Sequence, residues 1–332
     1  MEAVNQVAVI MPVYKAHDTI KATLHSIAMQ HGITYKCYLV VDGEEQGTYD
    51  YLKEAFDMEM DIIYQEINAG PGVARQRGID SSVEPFISFI DADDTYISSL
   101  ALYYQHKPFN EEKTAMVSCD FIQENKDHSA RLRERDMVWM HGKMYRREFL
   151  DKYNIRFNET RANEDVGFNT QCQCFANENE QVYLSHDVTY MWQWRDGSTV
   201  RTDNQSYAFN ESISGYVENK LYAFDQVLSQ KEIDDPLRYF MLKGLTHLFK
   251  KYLLAMIQKD KTARQIKKSV NHVQKWARKY YKKVYPLVGE EYIEKAEKTV
   301  LAQTGLDKLE HYEQYKLWQK QLTGEKTHKG KR

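Results

Sequence analysis

Over roughly its first 120 residues the chain repeats one arrangement: a short apolar run, a polar turn, then a segment whose apolar positions return every three or four residues. The apolar runs lie at residues 7–13, 38–41, 62–64, 86–90 and 116–122. They are rich in β-branched and aromatic residues and lack clean alternation, which is the pattern of strands buried on both faces of a parallel sheet. Residues 19–30 and 72–81 have helical spacing, with Asp18 or Thr19 placed to cap the first of these helices. Strands alternating with helices predict an α/β sheet wound through right-handed crossovers. In such sheets ligands bind at the carboxyl ends of the strands.

From about residue 225 the pattern changes. Strand-like runs disappear, and Ile266, Val270, Val273, Ala277, Tyr280 and Val284 form an apolar stripe at steps of three and four. That is an amphipathic helix. Two domains are therefore expected: an α/β domain over residues 1–225 and an α-helical accessory region over 226–332, whose final residues, 323–332, have no apolar pattern and read as frayed.

Charge divides the chain in a similar place. Residues 231–332 carry 24 Lys and Arg against 12 Asp and Glu, a net +12, while residues 1–230 carry 21 against 36, a net −15. Ten of the basic residues fall between 259 and 283, with Trp276, Tyr280 and Tyr281 among them. A basic face with interleaved aromatics suits an anionic polymer, a nucleic acid or an anionic membrane surface. It equally suits a solvated helix face turned toward the acidic domain.

Composition narrows the class. With 42% hydrophobic and 28% charged residues the chain has the balance of a globular protein rather than a disordered one. Cys37, Cys119, Cys172 and Cys174 are too few and too irregular for a disulfide framework, and no second Cys/His pair completes a zinc spacing. No apolar run is long enough to span a bilayer and the N-terminus does not resemble a leader, so a cytoplasmic protein, at most peripheral at a membrane, is expected.

The chemistry-bearing residues collect just after the apolar runs. Asp91, Asp93 and Asp94 place three carboxylates within four residues after the fourth run. Such a cluster repels itself unless a cation is present. Oxygen ligands of this kind suit Mg²⁺ or Mn²⁺, which also takes substrate phosphates and can neutralise a departing diphosphate. An acidic turn capping the next helix gives the same residues. Asp42, after the second run, can accept from a nucleobase N–H; Asn68 and Arg75 add an amide and a cation, and the Gly70-Pro71-Gly72 turn lets backbone approach a ligand. A second acidic pair, Glu164-Asp165, offers a general base for an acceptor hydroxyl, or alternatively a helix N-terminal pair favoured by the dipole. His186 is a further metal ligand or a structural histidine; Tyr190, Trp192 and Trp194 are a stacking surface or core.

Taken in order, these motifs resemble family 2 glycosyltransferases. Pro12-Val13-Tyr14, Val41-Asp42-Gly43, Asn68-x-Gly70 with Ala74-Arg75, Phe89-Ile90-Asp91-Ala92-Asp93-Asp94 and Glu164-Asp165 carry the resemblance. The segments 141–147 (HGKMYRR) and 190–198 (YMWQWRDGS) extend it, so that it covers roughly residues 5–200. The resemblance implies a GT-A (Rossmann-like) fold, a mostly parallel sheet flanked by helices, and an inverting, metal-dependent transfer of one sugar from a nucleotide diphosphate sugar, UDP-linked, to a hydroxyl. It further implies that Pro12, Val13, Tyr14, Asp42, Asn68, Arg75, Asp91 and Ala92 hold the nucleotide and that Asp93 ligates Mn²⁺ or Mg²⁺, with Asp94 a rival. Asp165 would be the base, with Glu164 orienting it or the sugar; Lys143 and Arg195 would approach the diphosphate or acceptor.

Three positions depart from the family pattern. Gly43 stands where many members have a second Asp, Ser98 where many have Pro, and Arg75-Gln76 replaces a more usual Arg-Asn. Two other readings remain beside sugar transfer to an anionic cell-surface polymer: sugar transfer to modified bases of DNA, and a catalytically silent module that binds a sugar nucleotide or polymer.

Overall fold

A nine-stranded mixed sheet organises the first part of the chain. Its strands are β1 (Val7–Val13), β2 (Tyr35–Asp42), β3 (Met60–Gln65), β4 (Phe86–Phe89), β5 (Thr95–Tyr96), β6 (Thr114–Glu124), β7 (Ala130–Arg133), β8 (Lys143–Arg146) and β9 (Gln181–Trp192). They lie in the order β3-β2-β1-β4-β8-β6-β9-β5, with β7 paired to β6. The computed structural model describes residues 6–195, 212–257 and 261–323, and the chain divides into two compact units, Met1–Ser198 and Thr199–Arg332.

The first four strands are parallel neighbours, in the register set by Val7 opposite Tyr35 and Phe86 and by Cys37 opposite Met60. The central strand β1 has every residue but Pro12 buried, which accounts for its unbroken apolar sequence. The helices of this unit are α1 (Ile20–Ala28), α2 (Leu52–Ala55), α3 (Pro71–Ser81), α4 (Ala101–His106), α5 (Arg147–Lys152) and α6 (Glu164–Phe175). Helix α3 lies against β1 through Gly78, where a Cβ would stand 2.4 Å from Ile10 Cγ2. Thr19 is the N-cap residue of α1, but its side chain makes no capping bond; Oγ1 donates instead to Ala16 O at 3.4 Å.

Beyond β4 the sheet ceases to be purely parallel. The short strand β8 inserts antiparallel to both β4 and β6, while β6 runs parallel to β9 with register shifts at Cys119, Asp120 and Phe121. Such irregularities bend a strand and re-aim its side chains. Here they fall where β6 and β9 carry residues toward the rim occupied by Asp91–Asp94. All four cysteines are buried and free.

The second unit is helical over its described residues: α7 (Ser212–Leu228), α8 (Asp235–Met256), α9 (Ala263–Val288), α10 (Glu290–Gln303) and α11 (Leu309–Thr323). Helix α7, most of which precedes residue 226, belongs to this unit. A capping box between Thr262 and Gln265 starts α9, and Val273, Ala277, Tyr280 and Val284 form its buried stripe. The Tyr280 hydroxyl donates to Met241 O at 2.8 Å, and Gly244 leaves room for it: a Cβ there would come within 2.1 Å of that oxygen. No helix among the described residues is long and apolar enough to cross a membrane. Residues 196–198 of the proposed closing loop, 259–260 of the basic segment and the tail from 324 lie outside the described residues.

Candidate active site

At the carboxyl end of β2 the buried Asp42 shapes the neighbouring loop. Its Oδ1 accepts from Ala69 N (2.8 Å) and Gln65 Nε2 (3.0 Å), and its Oδ2 accepts from Gly70 N (2.8 Å). Asn68 Nδ2 donates back to the Asp42 carbonyl at 3.2 Å. Three of the roughly four acceptor positions of a carboxylate are thus taken by the protein. Gly43 makes the close approach possible: its φ is +79°, and a Cβ there would stand 2.3 Å from Asn68 N. The same loop is tied to the segment before the acidic pair, since Arg161 Nη2 donates to Asn68 O at 3.1 Å. Tyr14 follows β1 with 45% of its surface exposed, next to the mainly buried Val13 and Pro12.

Arg75 is the hub of the site. Pointing from α3, it donates from Nη2 to Asp91 Oδ1 (2.6 Å) and from Nη1 to Glu164 Oε1 (2.7 Å). Burial opposes its charge, but the two carboxylates outweigh that penalty and hold the guanidinium firmly protonated. In turn Asp91 stays below the usual carboxylate range: burial works against ionisation and Arg75 overrides it. Arg75 bridges two carboxylates, one 16 and the other 89 residues away in sequence, so the strand-end carboxylate and the acidic pair are one assembly.

Asp94 is 1% exposed. Its Oδ2 accepts from the Tyr190 hydroxyl (2.7 Å) and its Oδ1 from Gln193 N (2.8 Å), while the same hydroxyl accepts from Asp91 N at 3.2 Å. Burial and then the neighbouring Asp91 and Asp93 push its carboxyl well above the ordinary value. Asp93, partly exposed, has Oδ2 2.9 Å from Arg195 Nε. His141 closes the cluster: one ligand atom each from Asp91, Asp94 and His141 lie within 4.8 Å of one another. Burial lowers the His141 pKa to about 4, so the ring is neutral, and its buried Nδ1 has no hydrogen-bond partner. Crowded carboxylates and an unsatisfied imidazole nitrogen make a donor set that fits a divalent cation.

Asp165 lies in the first turn of α6, whose N-cap Asn163 adopts the left-handed conformation (φ 59°). It accepts from Val166 N at 2.8 Å. Burial, followed by the adjacent Glu164, pushes its carboxyl up to about 8. A carboxyl poised near neutral pH is suited to proton transfer.

The structure therefore brings Arg75, Asp91, Glu164 and Asp165 together, with Asp93 and Asp94 on the same turn as Asp91, and gathers Asp42 and Asn68 into one adjoining loop. Ala92 is buried within the turn. Lys143 is fully buried, 3.7 Å from Asp136, and burial lowers its pKa. His186 pairs elsewhere, with Nδ1 3.0 Å from Asp120 Oδ2. Tyr190 is core with its hydroxyl on the acidic turn, and Trp192 packs on Trp139 with ring centroids 4.8 Å apart. His141 has no signal in the sequence beyond its place in the segment 141–147; only the fold sets it beside Asp94.

A mixed α/β sheet with a parallel first half, carboxylates on its rim and flanking helices defines a GT-A-type fold. Residues 8–162 match the family model described as Glycosyl transferase family 2, and this stretch is a family 2 glycosyltransferase domain. Among relatives, the chain is 34% identical over 92 residues to TuaG of Bacillus subtilis, a glycosyltransferase named for teichuronic acid biosynthesis, covering 27% of this chain and 36% of TuaG. It is 26% identical over 217 residues to the uncharacterized glycosyltransferase EpsJ of the same species, covering 56% of this chain and 60% of EpsJ. The chain thus spans about a third of the length of TuaG and three fifths of that of EpsJ. A similar solved structure is S. aureus TarS 1–349 in complex with UDP-GlcNAc, with a TM-score of 0.69 at 17% identity over 96% of this chain and 92% of that one.

Proposed function

We propose that the chain transfers a single sugar from a UDP-linked donor to an acceptor hydroxyl by one displacement that inverts the anomeric carbon. The observation that carries this reading is the placement of Asp165 beside Glu164 in the assembly of Arg75 and Asp91, where burial and then Glu164 push its pKa up to about 8. The loop of Asp42 and Asn68, the Pro12-Val13-Tyr14 strand end and the Asp91-Ala92 turn would hold the uridine. Asp165 takes the proton of the acceptor hydroxyl while that oxygen bonds to the anomeric carbon. The bond from that carbon to the diphosphate oxygen breaks, and its electron pair leaves with the diphosphate. Glu164, fixed by Arg75, keeps the acidic pair in place and raises the basicity of Asp165. Mn²⁺ or Mg²⁺ held by carboxylates of the 91–94 turn supplies, when bound, neutralisation of the diphosphate charge.

For the acceptor we propose an anionic cell-surface polymer, reached on the cytoplasmic side at the membrane periphery. The basic α9 supports this: Lys267, Lys268, Lys275, Arg278 and Lys282 are exposed on it, and Lys279 lies over the Trp276 ring at 4.6 Å. The name carried by TuaG, that of a glycosyltransferase for teichuronic acid biosynthesis, is in keeping with an acidic acceptor. The test is a thermal-shift panel of nucleotide diphosphates and nucleotide sugars with and without Mn²⁺. A ligand that binds the native state alone raises its stability by mass action. A metal-dependent shift with UDP sugars is expected. Absence of a shift with every nucleotide would instead favour a silent polymer-binding module.

A further inference from the structure

Where α8 ends, Leu254, Met256 and Ile257 are 42, 41 and 67% exposed, and Leu253 beside them is half-buried. Among the described residues, no other stretch of four gathers three exposed large apolar side chains. Single apolar residues at a surface are ordinary, but a cluster marks a surface that something covers. Leu254 and Ile257 stand three positions apart and share one face of the last turn, while the buried Ala255 fixes that turn against the unit. Because the Tyr280 hydroxyl bonds to Met241 O, α8 and α9 pair as a hairpin, and the apolar cluster lies at its closed end.

That end is also basic. Residues 250–268 hold seven Lys and Arg against Asp260 alone, a net +6. Arg264, Lys267 and Lys268 are exposed on the first turns of α9, whose start is set by the capping box of Thr262 and Gln265. A soluble anionic polymer would account for the cations but not for the exposed leucine, methionine and isoleucine. A second copy of the chain would cover the apolar side chains but set one cationic end against another. An anionic bilayer meets both features, since apolar side chains enter among the headgroups while cations lie against the phosphates.

We propose that the closed end of the α8–α9 hairpin docks the helical unit on an anionic lipid surface. Leu254, Met256 and Ile257 enter the headgroup region, and Arg264, Lys267 and Lys268 flank them on its phosphates. This rests on the reading that the acceptor is met at the membrane periphery, and it supplies what holds the chain there; the transfer chemistry does not depend on it.

The experiment is flotation of the full chain with vesicles of phosphatidylcholine alone and of phosphatidylcholine mixed with phosphatidylglycerol. Binding to the mixed vesicles and not to the neutral ones is expected. Replacing Leu254, Met256 and Ile257 together by Ser, with the fold checked by circular dichroism, should weaken that binding about tenfold or more. Transfer to a soluble acceptor should be unchanged in this variant. A fluorophore on Ile257→Cys reads insertion directly: the four native cysteines are buried, so the label goes to residue 257, and its emission should shift to the blue with the mixed vesicles. Binding retained in full by the triple variant, or binding without a blue shift, would overturn the docking surface and leave the peripheral reading standing. Absence of binding to the mixed vesicles would remove both. A dimer that the triple substitution dissolves, with no vesicle binding, would assign the apolar cluster to a second copy. Thermal shifts with UDP sugars report on the donor site in every case, so failure here is distinguishable from failure of the transferase reading.

Discussion

Gly72 and Glu164 meet with no room between them: a Cβ on residue 72 would stand 2.9 Å from the glutamate Cβ and 3.0 Å from its Cγ. The bare backbone at this point lets α3 and α6 come close enough for Arg75 to reach the acidic pair. Gly72→Ala would gain about 1 kcal/mol of helix propensity but pay about 1–3 kcal/mol for overpacking. A net loss of up to about 2 kcal/mol in urea unfolding is expected, with a fall in transfer as α6 is displaced. Equal or greater stability with full activity would show that the contact yields without consequence.

Arg75→Met strips two carboxylates of their partner. Breaking a buried pair costs about 3–5 kcal/mol, and Asp91, with 30% of its side chain exposed, brings the loss to the lower end of that range. Urea unfolding measures it. Arg75→Lys, which can hold only one of the two carboxylates at a time, should fall between wild type and Met.

Asp165→Asn removes the proposed base and keeps the shape of the side chain. Transfer should drop about 10²–10⁴-fold while UDP-sugar affinity stays within about twofold. In the wild type, log kcat/KM should climb with pH and level off near 8, where Asp165 becomes ionised. A flat profile from pH 6 to 9, or a variant that no longer binds the donor, would take Asp165 out of the base role.

The same residue makes a statement about stability. Its folded pKa is raised from 3.8 to about 8, so between these values the native state holds a proton that the unfolded chain has released. Stability contributed by this group is therefore full below about pH 4 and is lost progressively as pH rises to about 8. Asp165→Asn should flatten that slope and raise Tm at pH 8 by several degrees, at about 2–4 °C per kcal/mol. Differential scanning calorimetry at pH 5 and 8 checks both the sign and the window.

Substituting Lys267, Lys268 and Lys275 by Glu reverses three exposed charges of α9. Use of an anionic polymer acceptor should weaken about tenfold or more, and the salt dependence of that step should become shallower. Hydrolysis of the donor in the absence of acceptor should not change. Equal loss of both reactions would mean that the helical unit has a structural role.

How much of this was legible beforehand differs from element to element. Val7–Val13 could be read residue for residue because a strand covered on both faces must be apolar throughout. The four residues Lys143–Arg146 could not: two carry charge, yet the fold buries Lys143 completely in an antiparallel strand that no local pattern announces. In the site, carboxylates at strand ends were visible from spacing alone. Their partners were not, because Arg75 meets Glu164 across 89 residues and Tyr190 meets Asp94 across 96. His141 shows the same limit, since nothing in its neighbours in sequence marks a nitrogen left without a partner.

Gly43 carries a consequence for how this chain can change. Replacing it by the aspartate found in many family members would drive a side chain into the Asn68 backbone, in a conformation that L residues rarely adopt. The loop would first have to open, which means releasing the bonds from Ala69 and Gly70 to Asp42. A single substitution at position 43 therefore cannot be accommodated while the loop stays closed, and it would damage the rim. What looks in the sequence like a minor departure is a mutual constraint: the glycine and the loop packed over it hold each other in place.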